Sequence, residues 1–351
     1  MPKSDESVNL PACLTERLLR WYDRAKRDLP WRGAPDAYHV WVSEIMLQQT
    51  RVETVRDYYV RFLAAFPTVF DLASAPDEKL MKLWQGLGYY SRARNMAKTA
   101  RIVSERYGGV FPGDRASLRA LPGIGDYTAG AIASIAYSLP EPAVDGNVVR
   151  VLSRIAGHGA DEPAYRAVLT DALRRIYPPP ERCSDFTQSL MELGATVCLP
   201  NGAPLCGVCP MRSECSAAVH GNADSLPERK EKPVRKIVPM TVVLAENEQG
   251  ALFLRRRPEN GLLAGLWELP NVDAVLSGNE VRKWLEDAGL KVLSVREAPL
   301  KKHVFTHLEW HMHPWRAVVE GTTGENAGWV LADRTEMKSA FPLPKAFGKL
   351  L

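Results

Sequence analysis

A change of hydrophobic period near residue 221 constrains this chain more than any other feature. From about residue 14 to 220, apolar residues recur every three or four positions, as in "LTERLLRWYDRA", "AYHVWVSEIMLQQT", "VRDYYVRFLAAF", "ARNMAKTARIVSERY" and "AYRAVLTDALRRIY". That spacing predicts helices with one core-facing stripe each, punctuated by proline and glycine. Residues 221–236, "GNADSLPERKEKPVRK", are polar, charged and proline-containing, the composition of a linker. From 237 the pattern turns mixed. "IVPMTVVLAENEQGALFLRRR" predicts two strands about a polar turn, "NEVRKWLEDAG" a short helix, and "KVLSVREA" and "RAVVEG" further strands. The expectation is a mostly α region over 1–220 and an α+β domain over 237–351, and 351 residues suffice for two cores.

The net charge of +4 is too small to argue for nucleic acid, so only local placement of cations can. No apolar run approaches the roughly 20 residues of a membrane span, and the first residues lack the apolar centre of a signal peptide. A soluble, cytoplasmic protein is expected. Cys198, Cys206, Cys209 and Cys215 crowd into "CLPNGAPLCGVCPMRSEC", which predicts a metal site in place of a disulfide framework. Spacing alone leaves both a tetrahedral zinc and an iron-sulfur cluster open. Cys13 and Cys183 read as buried thiols.

Three stretches carry the chemistry. "SLRALPGIGDYTAGAIASIAY" reads as helix, tight loop, helix. Gly123 and Gly125, lacking Cβ atoms, let backbone N–H groups and a helix start approach a phosphate, although an ordinary turn would use the same glycines. Asp145 follows in a glycine- and proline-rich loop just before a helix beginning near Val148, a place equally suited to an N-cap. Glu44 lies among Val40, Trp41, Val42, Ile45, Met46 and Leu47. Buried there, a carboxyl would resist ionising and could hold a proton near neutral pH; on an exposed helix face it would be unremarkable.

Hairpin, spacer, aspartate and helix together resemble the helix-hairpin-helix glycosylase superfamily. "PWR", "SEIMLQQTRV", "LWQGLGYYSRARN", "LPGIGDYTAGAI" and "VDGNVVRVL" look like the adenine DNA glycosylases of the MutY type. The resemblance implies base-excision repair: removal of adenine mispaired with 8-oxoguanine or guanine in double-stranded DNA, preventing G:C to T:A mutations. It makes Glu44 the acid that protonates adenine, Asp145 the carboxylate beneath the sugar, and Tyr127 and Asn147 their hydrogen-bonding supports. Trp31 and Arg32 would line the pocket of the flipped base; Gln49, Leu87 and Tyr89 would enter the stack beside the opposing base. Arg92 and Arg94, just beyond, suit nearby phosphates. Strand-cutting relatives carry a lysine where this chain has Tyr127; a phenol cannot form a Schiff base, so hydrolysis with little or no strand cleavage is implied. The four cysteines would hold a [4Fe-4S] cluster, with zinc as the alternative, although seven residues separate Cys198 from Cys206 where the family has six. The second domain resembles a Nudix-like module without the acidic hydrolase signature. In it Phe305, Thr306 and His307 stand where the family reads 8-oxoguanine with Phe-Ser-His. A monomer acting on DNA, with no membrane partner, is the resulting expectation.

Overall fold

The computed structural model describes the chain except residues 1–7, 34–35, 229–233, 259, 322–327 and 342, so part of the expected linker lies outside the described residues. The early half is helical: α1 (Leu14–Ala25), α2 (Ala37–Leu47), α3 (Val52–Ala65), α4 (Val69–Ala73), α5 (Asp77–Trp84) and α6 (Ser91–Tyr107). There follow α7 (Arg115–Arg119), α8 (Asp126–Ala136), α9 (Gly146–Ala156), α10 (Pro163–Arg174), α11 (Pro180–Thr196) and α12 (Ser216–His220). The chain then forms β1 (Lys236–Glu246), β2 (Leu252–Arg256), β3 (Trp267–Glu268), β4 (Asn271–Val272), α13 (Gly278–Asp287) and β5 (Lys291–Glu297). It ends in β6 (Lys301–Val304), β7 (Leu308–Glu320), β8 (Trp329–Ala332), α14 (Arg334–Ser339) and α15 (Lys345–Gly348).

Two compact units result, and both are discontinuous: Met1–Ala75 with Arg94–Glu231, and Pro76–Ala93 with Lys232–Leu351. The α5 segment and the loop after it therefore associate with the later residues, a grouping that pattern along the chain does not predict.

In the first unit α2 is apolar nearly all round and is buried from Ala37 to Met46 apart from His39, as a helix without a polar face must be. It packs on α8, which is buried from Thr128 to Ile135 and is rich in small residues. Gly130 shows why they are small. A Cβ there would overlap the Pro142 carbonyl, so the loop leading to Asp145 lies directly on α8. The apolar stripe of α9 (Val148, Val149, Val151, Leu152, Ile155) packs with Leu169 and Leu173 of α10 and with Phe186, Leu190 and Leu193 of α11. Helix α9 is N-capped by Asp145 and stops at Gly157, whose φ of 85° an L side chain would resist.

The second unit is built on a mixed sheet, ordered β3-β2-β1-β7-β5, with β4 beside β1, β6 beside β7 and β8 beside β2. Central β1 runs parallel to β7, from Lys236 opposite Leu308 to Glu246 opposite Val318. Side chains alternate faces along it. Met240, Val242 and Leu244 join Trp310, Met312 and Phe347 on one side. Val243 and Ala245 join Val281 and Leu285 of α13 on the other. The strands β6 and β7, a hairpin in sequence, leave Phe305–His307 as the connecting loop, closed by Phe305 N–H donating to the Leu308 carbonyl at 2.8 Å.

Of the two thiols expected to be buried, Cys183 is fully so, but Cys13 is only half-buried because it precedes α1 at its N-cap instead of lying on the core-facing stripe.

Candidate active site

A cavity of about 510 Å³ in the first unit gathers Trp31, Arg32, Glu44, Gln49, Tyr127, Asp145 and Asn147. Sequence placed these in four separate motifs; the packing of α2, α8, α9 and α11 brings them to one wall. The volume falls in the range of small-molecule pockets and exceeds what a single purine base fills.

Glu44 sits on the buried side of α2, 5% exposed. Loss of solvent pushes its carboxyl from 4.5 up to about 7. The Tyr127 hydroxyl, donating to Oε2 at 2.5 Å, acts in the opposite sense, and the charge of Asp145 raises it further. Tyr127 comes from the start of α8, one residue after the helix begins at Asp126, so the hairpin sets the height at which its hydroxyl meets α2. Burial, then the negative charges of Glu44 and Asp145, hold the phenol well above its ordinary value; it stays neutral and donates.

Asp145 serves as both cap and cavity wall. Its Oδ1 accepts the Val148 N–H at 2.8 Å and its Oδ2 accepts the Asn147 amide at 2.8 Å. Desolvation raises its carboxyl, while those two donors and the charge of Arg150 counter part of the rise. Arg150 in turn donates to Asn147 Oδ1 at 2.9 Å, to the Gly194 carbonyl at 2.7 Å and, through Nε, to the Cys198 carbonyl at 2.8 Å. Gly194 must lack a side chain, because a Cβ would lie 2.8 Å from that of Asn147.

Pattern along the chain missed a second polar set in the cavity. Arg27, Gln188 and Glu192 line it with Arg32. Arg32 donates through Nε to Gln188 Oε1 at 3.0 Å and through a terminal nitrogen to Glu192 Oε2 at 2.8 Å. Arg27 grips the same carboxylate at 2.7 and 3.0 Å. Burial would raise Glu192, but the hydrogen bonds from Arg27 and Arg32 outweigh it and hold the group below its usual value. A signal existed: in "FTQSLMELGA" Gln188, Met191, Glu192 and Ala195 fall at helical spacing on one face of α11. Trp31, 8% exposed, stands edge-on to Tyr59 at 5.6 Å. Gln49 is exposed with φ of 59°, turned outward at the cavity rim.

On the hairpin, Gly123 has φ of 78° and would meet Asn95 if given a Cβ, so its absence of side chain is required. Gly125 has an ordinary φ of −91° and open space beside it; its place is the N-cap of α8, where free N–H groups face outward.

Cys198, Cys206, Cys209 and Cys215 line one small apolar cavity beside Val151, Ile155 and Leu193. Burial pushes the Cys209 thiol up to about 11, and the other three cysteines act on it in the same direction. Arg154 donates to Cys198 Sγ at 3.3 Å and to the Leu199 carbonyl at 2.9 Å. The four thiols share one cavity with the Arg154 guanidinium beside it, a chemistry suited to a group that binds thiolates, although among the described residues they are not drawn together into a formed metal site.

In the second unit Tyr89 meets the Phe305–His307 loop. The Tyr89 hydroxyl lies 2.7 Å from Thr306 Oγ1. Phe305 is wedged edge-on between His303 (4.7 Å) and Trp310 (4.8 Å), while Thr306 and His307 are exposed. Tyr89 is 49% exposed but Leu87 only 5%. Arg92 departs from expectation. It is 9% exposed and binds the Leu87 and Gly88 carbonyls, because the left-handed turn before α6 folds its guanidinium back under the loop; it is not free to meet a phosphate.

Residues 42–178 match the HhH-GPD family, described as a superfamily of base excision DNA repair proteins, and residues 241–351 match the NUDIX domain. The adenine DNA glycosylase of Rattus norvegicus is 40% identical over 87% of this chain and 70% of its own length. That of Buchnera aphidicola from Baizongia pistaciae is 33% identical over 85% of this chain and 84% of its own.

The chain belongs to the adenine DNA glycosylases.

Among solved structures, a thermostable thymine-DNA glycosylase is 28% identical with a TM-score of 0.54, covering 59% of this chain and 95% of its own. A trapped endonuclease III–DNA covalent intermediate is 25% identical with a TM-score of 0.51, covering 60% and 95%. A base-excision DNA glycosylase thus combines an endonuclease III-like helical region with a Nudix-like module on a mixed sheet, acting on N-glycosyl bonds. No helix among the described residues is long and apolar enough to cross a membrane.

Proposed function

We propose that this glycosylase hydrolyses the bond between adenine and deoxyribose in double-stranded DNA, where adenine stands opposite 8-oxoguanine or guanine, and leaves the strand intact. The reading is carried by one observation: a buried carboxyl near pKa 7, hydrogen-bonded by Tyr127, shares its cavity with a second carboxyl held by Val148 and Asn147.

The two acids suit opposite ends of one bond. A neutral Glu44 carries a proton at physiological pH and delivers it to a ring nitrogen of the base, so that the base leaves neutral. Tyr127 orients that carboxyl. Asp145, fixed in direction by Asn147 and the α9 start, offers negative charge where the sugar becomes oxocarbenium-like. Reaching the cavity requires the adenine to leave the stack, with Gln49, Leu87 and Tyr89 filling the gap. The fork of Arg32 with Gln188 and Glu192 provides donors and acceptors to the edge of the base, beside the Trp31 ring. Gly123 and Gly125 let the hairpin backbone hold a phosphate.

No lysine lines the cavity among the described residues, which favours attack by water over Schiff-base formation and strand cleavage. Thr306, with Phe305 and His307 in the exposed loop, is the reading for contact with 8-oxoguanine: the hydroxyl keeps a donor and acceptor, and the added methyl narrows its rotamers. Cys198, Cys206, Cys209 and Cys215 would hold a [4Fe-4S] cluster. With Cys198 just past α11 and the other three in the loop beyond it, these residues would let such a group serve as a structural clip between α11 and that loop. The protein would work as a monomer in the compartment holding the DNA.

The deciding assay is single-turnover release of adenine from duplexes pairing it with 8-oxoguanine, guanine or thymine. Release from the first two, with strand breaks appearing only after alkali, is expected. Absence of release from all three overturns the assignment, and strand cleavage without alkali overturns its hydrolytic part.

A further inference from the structure

The loop between α5 and α6 needs an explanation that base contact alone does not supply. Gly86, Gly88 and Tyr89 all occupy the left-handed region, with φ of 105°, 70° and 48°. Tyr89, a bulky residue, holds that conformation at a steric cost that the surroundings must offset. Arg92 is placed to do so. A terminal guanidinium nitrogen donates to the Leu87 carbonyl at 2.9 Å and to the Gly88 carbonyl at 3.1 Å. Its guanidinium carbon lies over two rings, 5.2 Å from the centre of Trp84 and 5.6 Å from that of Tyr89. Trp84 Nε1 adds a second donor to the Gly88 carbonyl at 3.0 Å, and the Arg92 backbone N–H takes the Tyr89 carbonyl at 2.9 Å. Every turn of the loop from Leu87 to Tyr89 thus has a carbonyl fixed from below.

A buried guanidinium is a costly way to gain stability, since an apolar side chain of similar volume often serves as well or better. What it supplies instead is directional: one terminal nitrogen held to two carbonyls, with the flat guanidinium close to two rings.

We propose that Arg92 is a positioning residue for base extrusion: its guanidinium, lying over the Trp84 and Tyr89 rings, pins the Leu87 and Gly88 carbonyls and so presets the Tyr89 hydroxyl beside Thr306 before DNA arrives. The inference rests on the glycosylase reading above, and it assigns Arg92 to loop geometry, away from phosphate contact. Burial lowers its guanidinium to about 10, so it remains charged at neutral pH.

The test uses the full chain and two variants, Arg92→Met, which keeps the stem and removes every side-chain donor, and Arg92→Lys, which keeps the charge and loses the planar guanidinium and its reach. Three quantities are read. The first is fluorescence of a 2-aminopurine placed beside 8-oxoguanine in a duplex whose adenine carries a 2′-fluoro sugar that resists cleavage. The others are single-turnover adenine release at saturating protein and the melting temperature.

Wild-type protein unstacks the probe. Arg92→Met loses that signal and slows release opposite 8-oxoguanine at least about tenfold, a barrier change of about 1.4 kcal/mol. The loss persists at saturation, and the melting temperature moves by no more than about 3 °C. Arg92→Lys restores less than half of the signal, because its side chain is shorter and its tetrahedral ammonium lacks the flat guanidinium that lies beside the two rings. Unstacking and release equal to wild type in Arg92→Met overturn the proposal; where that variant melts early, the same result in Arg92→Lys does so. A wild-type protein that unstacks the probe yet releases no adenine overturns the glycosylase reading while leaving the Arg92 comparison standing.

Discussion

Glu44→Gln should stabilise the protein at alkaline pH while sharply reducing its activity. In the unfolded chain the Glu44 carboxyl has its ordinary value of 4.5; in the fold, burial lifts it to about 7. Between those values the native state binds a proton that the unfolded state lacks, so stability falls as pH rises through the window. The favourable contribution is complete below about 4.5 and is gone above about 7, where the fold must hold a buried carboxylate. A shift of that size corresponds to about 3 kcal/mol overall, of which about 2–3 kcal/mol develops between pH 5 and pH 8. Glutamine keeps the shape, can accept the Tyr127 hydroxyl, and never ionises. The difference in melting temperature, variant minus wild type, should therefore grow by about 4–12 °C from pH 5 to pH 8 in a helical unit of this size. Taking the difference cancels groups that titrate alike in both proteins. Melting followed by the helical circular dichroism signal at half-unit pH steps provides the curve, and adenine release on the same preparations should fall by about 10²–10⁴. A difference that stays flat from pH 5 to pH 8 would refute the buried-acid argument, whatever the activity.

Wild-type release of adenine should decline as pH rises above about 7, since the proton donor is then lost; a profile rising through pH 8 contradicts this role for Glu44. Asp145→Asn should keep the α9 cap and the fold but slow single-turnover release by about 10² or more, because a neutral amide offers no charge to the sugar; equal melting curves with unchanged release would remove Asp145 from the mechanism. Gly130→Ala should destabilise by about 1–3 kcal/mol in denaturant unfolding, because its methyl meets the Pro142 carbonyl. Purified protein should contain about four iron and four sulfide per chain, falling with Cys198→Ser; zinc in equal molar amount would decide for the other metal.

Much of the site could be read along the chain where a residue's role follows from local geometry. Asp145 stands before a helix, Gly123 in a turn that needs a positive φ, and the cysteines within one short loop. Thr306, by contrast, is singled out beside Phe305 and His307 only by the family resemblance. The partners were not: Tyr127 to Glu44, Gln188 and Glu192 to Arg32, Tyr89 to Thr306 each join residues far apart in number. Arg92 shows the limit most sharply. A basic residue after an aromatic loop suggests a phosphate contact, and only the backward fold of its side chain under Leu87 and Gly88 reveals another use.

The amino-acid order by itself determined the two architectures, since a three-to-four repeat can bury its apolar residues only as helices and a two-residue repeat only as strands. It also determined which side chains are available to donate, accept or bind metal. Tertiary structure alone decided their chemistry. Glu44 holds a proton near neutral pH because α2 is buried against α8, a segment distant in sequence. Arg92 becomes a strut because its side chain folds back onto Leu87, Gly88 and the Trp84 ring.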